Sequence, residues 1–268
     1  MQLIFPLSFP IIESKAEEAE RVDANVKKKR IGVAFADEME YAPFLTYAQQ
    51  QSCRLTQKRG NAGLVMTLTQ NDRQLEIHAV QCGIGKVNAA SAVSFLIADD
   101  GAQMICNAGL SGAVSGFRRG DLVAGATYVE CDFDLSAIGV PAGQKPGQDW
   151  VYQADEVLLR LALAHNGVRA GNLGTGDFFL TNAEIKKQYI ERFGITAFDM
   201  ETAAIASVCH KSNIPFLCLR KISDDADDAA TEQYREMNER AEDTLTNVLQ
   251  DLFYRILAEN SLWNGMVG

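Results

Sequence analysis

The sequence predicts an α/β layer fold built around a mixed, strongly curved sheet. Three observations lead there. Apolar runs of strand length alternate with segments of helix length along most of the chain. Two early alternating runs are joined by a tight turn, which introduces antiparallel pairing. Further on, a strand, a helix and a second strand follow one another, an order that favours parallel neighbours with ligand sites at the strands' carboxyl ends. With 268 residues, 47% of them hydrophobic, the chain can bury a sizeable core. One domain over 31–268, behind an extension of residues 1–30, is the economical division.

Residues 1–30 begin apolar, with two prolines, and continue into a charged segment, 14–30, of helical character. A buried strand is expected at 30–36 and a helix at 37–50 with acids in its first turn. The alternating runs 63–69 and 74–81 read as strands joined through Asn71-Asp72. Gly83-Ile84-Gly85 leads into a helix at 86–98, and a strand at 103–108 runs into Gly109-Leu110-Ser111-Gly112-Ala113. A strand at 122–129 precedes a Gly- and Pro-containing loop, 132–150. Then come a helix (155–165), a strand (168–174), a helix (183–193), a short strand (195–198), a small-residue helix (201–211) and a buried strand (216–222). A long amphipathic helix, 231–259, closes the series. No internal repeat is visible.

The 25 basic and 35 acidic residues leave a net charge of −10. Nucleic-acid binding normally needs a basic stripe, so that class is excluded, whereas a small neutral or cationic nucleoside is not. Lys27-Lys28-Lys29-Arg30 reads as a local, solvated charge run. The six cysteines show no zinc spacing and sit mostly in apolar segments, as small buried hydrophobes in a reducing compartment do. The histidines, His78, His165 and His210, have no sequence neighbour that suggests a triad or metal site and are read as structural. No stretch approaches the ~18 apolar residues of a membrane span. The start lacks a basic n-region and a small-residue cleavage site, so a cytoplasmic protein with no membrane partner is expected.

Four strand ends carry small or acidic residues: Ala36-Asp37-Glu38-Met39-Glu40, Cys82-Gly83-Ile84-Gly85-Lys86, residues 107–113, and Ile222-Ser223-Asp224-Asp225. A fifth acidic placement, Asp199-Met200-Glu201, precedes the small-residue helix. Glycines in such places let a ligand approach the backbone. Singly they are weak. Gly83-x-Gly85 lacks the rest of a dinucleotide fingerprint, and Gly-Leu-Ser-Gly-Ala fails the nucleophile-elbow pattern at Ala113. Each residue also has a bland reading. Glu40 and Glu201 can be first-turn helical acids, Asp224 a helix cap, Phe179 and Met200 core, and Arg220 a buried ion-pair partner.

Taken together, the segments resemble the 5′-methylthioadenosine/S-adenosylhomocysteine nucleosidases. The residues that carry the resemblance include Ile31–Glu40, Gly83-Ile84-Gly85-Lys86-Val87-Asn88-Ala89-Ala90, Gly120-Asp121-Leu122-Val123, Asp132-Phe133-Asp134-Leu135-Ser136-Ala137, Thr175-Gly176-Asp177-Phe178-Phe179, Asp199-Met200-Glu201 and Arg220-Lys221-Ile222-Ser223-Asp224. It covers 31–250 with the motifs in order. The resemblance implies the nucleoside phosphorylase-like fold: a three-layer α/β/α sandwich whose mixed central sheet closes partly into a barrel. It implies hydrolysis of the N-glycosidic bond of 5′-methylthioadenosine or S-adenosylhomocysteine, with no cofactor and no metal, in a homodimer. By resemblance Asp224, with Ser223 beside it, protonates the purine, and Glu40 activates water. Glu201 grips the ribose, on which Met200 packs. Phe179 stacks on adenine with the Phe178 backbone near the base, Ile84 lines the substrate site, and Arg220 orders the carboxylates.

One departure stands out. The family's N-T-G-S-A-G-G reads Asn107-Ala108-Gly109-Leu110-Ser111-Gly112-Ala113 here, so Leu110 replaces a hydroxyl residue. Asn107 stands where related phosphorylases carry an arginine for phosphate, and the acid at position 40 would repel phosphate, so hydrolysis is favoured. A nucleosidase or phosphorylase for another purine nucleoside, such as futalosine, and a non-catalytic superfamily member are the alternatives.

Overall fold

A computed structural model describes residues 26–239 and 244–264. In chain order the elements are β1 (Lys27–Phe35), α1 (Glu38–Gln50), β2 (Arg54–Lys58), β3 (Asn61–Gln70), β4 (Arg73–Gln81), α2 (Lys86–Ala98), β5 (Met104–Ala113) and β6 (Leu122–Glu130). A 3₁₀ turn at Ser136–Ile138 follows, then β7 (Val151–Gln153), α3 (Glu156–Leu163), β8 (Val168–Thr175), α4 (Ala183–Phe193), β9 (Ala197–Asp199), α5 (Thr202–Ser212), β10 (Phe216–Asp224), α6 (Ala230–Glu239), α7 (Thr244–Ala258) and α8 (Asn260–Trp263).

Among the described residues ten strands form one sheet, in the order β10-β6-β8-β9-β5-β1-β4-β3-β2 with β7 on β6. Because β10 also pairs with β5, the strands β5, β9, β8, β6 and β10 close into a barrel, and β1, β4, β3 and β2 extend from it as a wing. Alternation along β1 assigns the two faces. Ile31, Val33 and Phe35 pack with Phe44 of α1, Leu158 of α3 and Phe253 of α7, whereas Ala34 faces Ala89 and Val93 of α2 and Ala203 and Ile205 of α5. Helices thus cover both faces of a mixed sheet, as the resemblance implied. No helix among the described residues is long and apolar enough to cross a membrane.

Several expectations need correction. Lys27–Arg30 belong to β1, in parallel register with Arg73–Glu76 of β4, though their side chains stay largely solvated. The hydrogen-bonded edge of β4 recruits them despite their charge, and Arg30 pairs with Glu76 at 2.7 Å. The remainder of the helix expected at 14–30 lies outside the described residues up to 25. Short, polar β2 carries no apolar alternation and shows its strand character only through its partner β3. The segment 231–259 holds two helices, α6 and α7, with 240–243 outside the described residues. Each histidine does meet a carboxylate in space: His78 meets Glu76 and Asp100, His165 meets Asp251, and His210 meets Asp149. None of the six cysteines is paired, and five are buried.

The largest correction concerns β9 and β10. They are not parallel neighbours, because they flank β5 on opposite edges, β9 antiparallel to it and β10 parallel. A strand has only two edges, and β10 runs along one of them from Ile105 to Gly112. The other edge is shared: β1 takes Met104–Asn107 and β9 takes only Gly112 and Ala113. Between them residues 108–111 have no strand partner on that side, and the candidate site is built against this gap.

Candidate active site

The gap leaves backbone donors without sheet partners, and Glu40 meets one of them. Asp37 caps α1 by accepting from the Glu40 N–H at 3.0 Å, which fixes the first helical turn beside the end of β1. Glu40 then points back from the helix. Its Oε2 accepts from Ala36 N at 2.8 Å and its Oε1 from Leu110 N at 2.7 Å. The backbone of Leu110 therefore supplies a polar contact although its side chain has no hydroxyl. Gly109 is required beside it, since a Cβ there would collide with Arg220 and with the Glu40 carboxylate.

Arg220, from the middle of fully buried β10, lies behind this carboxylate. Its Nη2 donates to Asn107 Oδ1 at 2.5 Å and to Thr202 Oγ1 at 2.7 Å, and its Nε lies 3.2 Å from Asp199 Oδ2. Its Nη1 is 3.9 Å from Glu40 Oε1, and Nη2 is 3.7 Å from Glu201 Oε2. A guanidinium with no solvent access thus faces three carboxylates, the arrangement in which a buried charge is sustainable. Asp199 holds the turn into α5, accepting from the N–H groups of Glu201 and Thr202 at 3.1 and 3.0 Å. Glu201 stands at the N-cap position of α5 but makes no cap hydrogen bond. Its Oε1 instead accepts from Gly85 N at 2.9 Å.

Burial pushes the Glu40 carboxyl up from 4.5 to about 7, with Arg220 opposing and Glu201 and Asp37 reinforcing the rise. Burial likewise raises Glu201 to about 7, against the pull of Arg220 and with Asp199 adding to the rise. Both carboxyls are therefore poised to exchange protons near neutrality.

Asp224 ends β10 in different surroundings. It is buried, its Oδ2 accepts from Ser223 Oγ at 2.6 Å, and its Oδ1 accepts from Ala226 N at 2.9 Å. Burial raises its pKa, Asp225 and Asp227 add to the rise, and the hydrogen bonds from Ser223 and Ala226 oppose it. Opposite it on β5 is Gly112, where a Cβ would lie 2.7 Å from Asp224 Oδ1.

Both ends open onto one cavity of about 480 Å³, a volume suited to a small organic ligand. Of the residues singled out from the sequence, Glu40, Glu201, Asp224, Ser223, Met200, Ile84, Phe178 and Phe179 line it, while Arg220 supports it from behind. Phe179 is 42% exposed, a large apolar ring left open at the rim. Phe178 is anchored by ring contacts to Phe198 and Tyr189 at 5.2 and 6.4 Å. Sequence reasoning did not single out Thr231, Tyr234 and Arg235 of α6, or Leu180, as part of this wall. Nothing in their local pattern distinguishes them from an ordinary amphipathic helix and its surroundings. Asp37, within the Ala36–Glu40 motif, also lines the wall.

Comparison with known proteins agrees with this geometry. Residues 30–254 match the family described as the phosphorylase superfamily. The 5′-methylthioadenosine/S-adenosylhomocysteine nucleosidase of an Exiguobacterium species is 33% identical over 175 residues, 62% of this chain and 75% of that protein. Among solved structures, the Helicobacter pylori 5′-methylthioadenosine/S-adenosylhomocysteine nucleosidase superposes with a TM-score of 0.78 at 27% identity, covering 85% of this chain and 98% of that one. A futalosine hydrolase mutant from the same organism gives 0.77 at 26% identity, covering 85% and 99%.

Proposed function

Because the chain belongs to the phosphorylase superfamily and, within it, to the 5′-methylthioadenosine/S-adenosylhomocysteine nucleosidases, we propose that it hydrolyses the N-glycosidic bond of those two nucleosides, releasing adenine and a thioribose. One observation carries the choice of water over phosphate. The Glu40 carboxylate already occupies the N–H groups of Ala36 and Leu110 and faces Arg220, the donors that an incoming phosphate would need.

Burial raises the pKa of Asp224, which favours its protonated form, and in this reading it donates a proton to purine N7 as the C1′–N9 bond breaks. The bonding electrons leave with the base, and the sugar becomes oxocarbenium-like. Glu40 takes a proton from the water that adds to C1′. Glu201, oriented by Gly85 N–H and Arg220, accepts hydrogen bonds from the ribose hydroxyls, with Met200 and Ile84 against the sugar. Phe179 stacks on the base, and Phe178 anchors its loop. A second reading, hydrolysis of futalosine, keeps the same chemistry and differs only in base and 5′ group. The likeness to futalosine hydrolase favours keeping it under test.

Base release from 5′-methylthioadenosine, S-adenosylhomocysteine and futalosine, with and without phosphate, tests these readings. Phosphate-independent adenine release is expected, with kcat reduced about 10²- to 10⁴-fold in Glu40→Gln and in Asp224→Asn. Strict phosphate dependence, or full rate in both variants, would overturn the mechanism. Cleavage of futalosine alone would move the substrate assignment.

A further inference from the structure

The cavity wall also carries Asp37, Thr231, Tyr234 and Arg235, polar side chains that take no part in the chemistry above. Asp37 spends Oδ1 on capping α1, which leaves Oδ2 to the Tyr234 hydroxyl at 3.4 Å, a long and easily exchanged contact. The Tyr234 ring meets the edge of Phe179 with centroids 5.5 Å apart, so this polar stretch of wall begins beside the ring that stacks on the base. Arg235 is the next residue on α6 and the one cation among the described residues that line the cavity. Its side chain is 70% exposed, and among the described residues it pairs with Glu232, itself exposed, at 4.0 Å. Such a pair is screened by water and gives way readily to a ligand.

The geometry points to a subsite for a zwitterionic 5′ substituent, with Arg235 reading a carboxylate and Asp37 Oδ2 an ammonium. This inference rests on the nucleosidase reading and sharpens its substrate class. An α-amino-acid tail, as on S-adenosylhomocysteine, carries both charges on one carbon and satisfies both walls. A methylthio group satisfies neither, and it leaves the polar edge without partners. The wall therefore makes S-adenosylhomocysteine the preferred nucleoside of the two. Asp37 also caps the helix that carries Glu40, so Arg235 is the cleaner residue to vary.

Calorimetric binding of S-adenosylhomocysteine and of 5′-methylthioadenosine to the Glu40→Gln chain, with and without Arg235→Ala, tests the assignment. Arg235→Ala is expected to weaken S-adenosylhomocysteine about tenfold relative to 5′-methylthioadenosine, and Arg235→Lys to restore most of the ratio. An unchanged ratio overturns the subsite, as does failure of the Glu40→Gln chain to bind either nucleoside. If the parent chain releases no adenine while the binding ratio still moves, the hydrolysis reading fails and recognition of the tail stands.

Discussion

The two ends of the cavity solve the problem of a buried acid differently. At one end Glu40, Glu201 and Asp199 surround Arg220, whose side chain is fully buried. At the other, Asp224 is buried and accepts from Ser223 and the Ala226 N–H, and Asp225 and Asp227 add to the rise in its pKa. The cation at the first end partly offsets the cost of burial, and Glu40 and Glu201 titrate near neutrality. At the second end burial also raises the Asp224 pKa, with the Ser223 and Ala226 hydrogen bonds opposing the rise in place of an arginine. One cavity thus holds two kinds of buried carboxyl, one set facing a buried arginine and one held by a hydroxyl and a backbone amide.

Removing that arginine tests the comparison most severely. Arg220→Met leaves three carboxylates without their buried counter-charge, and a loss of about 3–5 kcal/mol is expected. Chemical denaturation measures it, and a loss below about 1 kcal/mol would mean that the cluster needs no cation. The companion Asp224→Asn, which removes an acid from the end away from Arg220, should leave stability close to that of the parent.

The pH dependence of stability carries a definite sign. Glu40 titrates at 4.5 when free and at about 7 in the fold, so the folded chain holds this proton more tightly. The stabilisation is complete below about pH 4.5 and is lost as pH rises through about 7. Glu40→Gln, which stays neutral, should therefore gain on the parent between pH 5 and pH 8, by at most about 3 kcal/mol. Thermal melts at the two pH values give the difference, and a gap that does not change with pH rejects the assignment.

Two glycines on β5 separate the ends more gently. At Gly109 a methyl group intrudes on Arg220 and Glu40, and at Gly112 it intrudes on Asp224 and Ala226. Each alanine variant should lose about 1–3 kcal/mol from overpacking. Their kinetic pH profiles should differ, Gly109→Ala displacing the limb that reports the base and Gly112→Ala the limb that reports the acid. Identical profiles would show that the two ends do not act independently.

Much of the fold is legible along the chain because its strands are apolar runs of the right length. β1, β4, β6, β8 and β10 are readable, and β10 is buried along its whole length. Polar β2 is not, since its strand character comes only from pairing with β3. The parallel placement expected of β9 and β10 fails because chain order says nothing about which edge of β5 remains open. Eight of the nine candidate residues do line the cavity; the acids are legible at strand ends, where an acid beside an apolar run is costly unless it is used, and the others through the resemblance of their motifs. Tyr234 and Arg235 were not, because α6 has an ordinary helical surface and acquires its place in the wall only by packing beside β10.

By itself the sequence determined which groups exist and on which elements they ride: an acid after β1, an acid before α5, an arginine within β10 and an acid at its end. Tertiary structure decided that Glu40, Glu201 and Arg220 converge around one stretch of β5. The physical reason is the divided edge of that strand. Where β1 stops and β9 has not begun, Leu110 has an amide hydrogen without a strand partner, and the Glu40 carboxylate takes it. Local sequence cannot specify which backbone groups a sheet leaves unpaired, because that depends on segments far apart in the chain meeting along one strand.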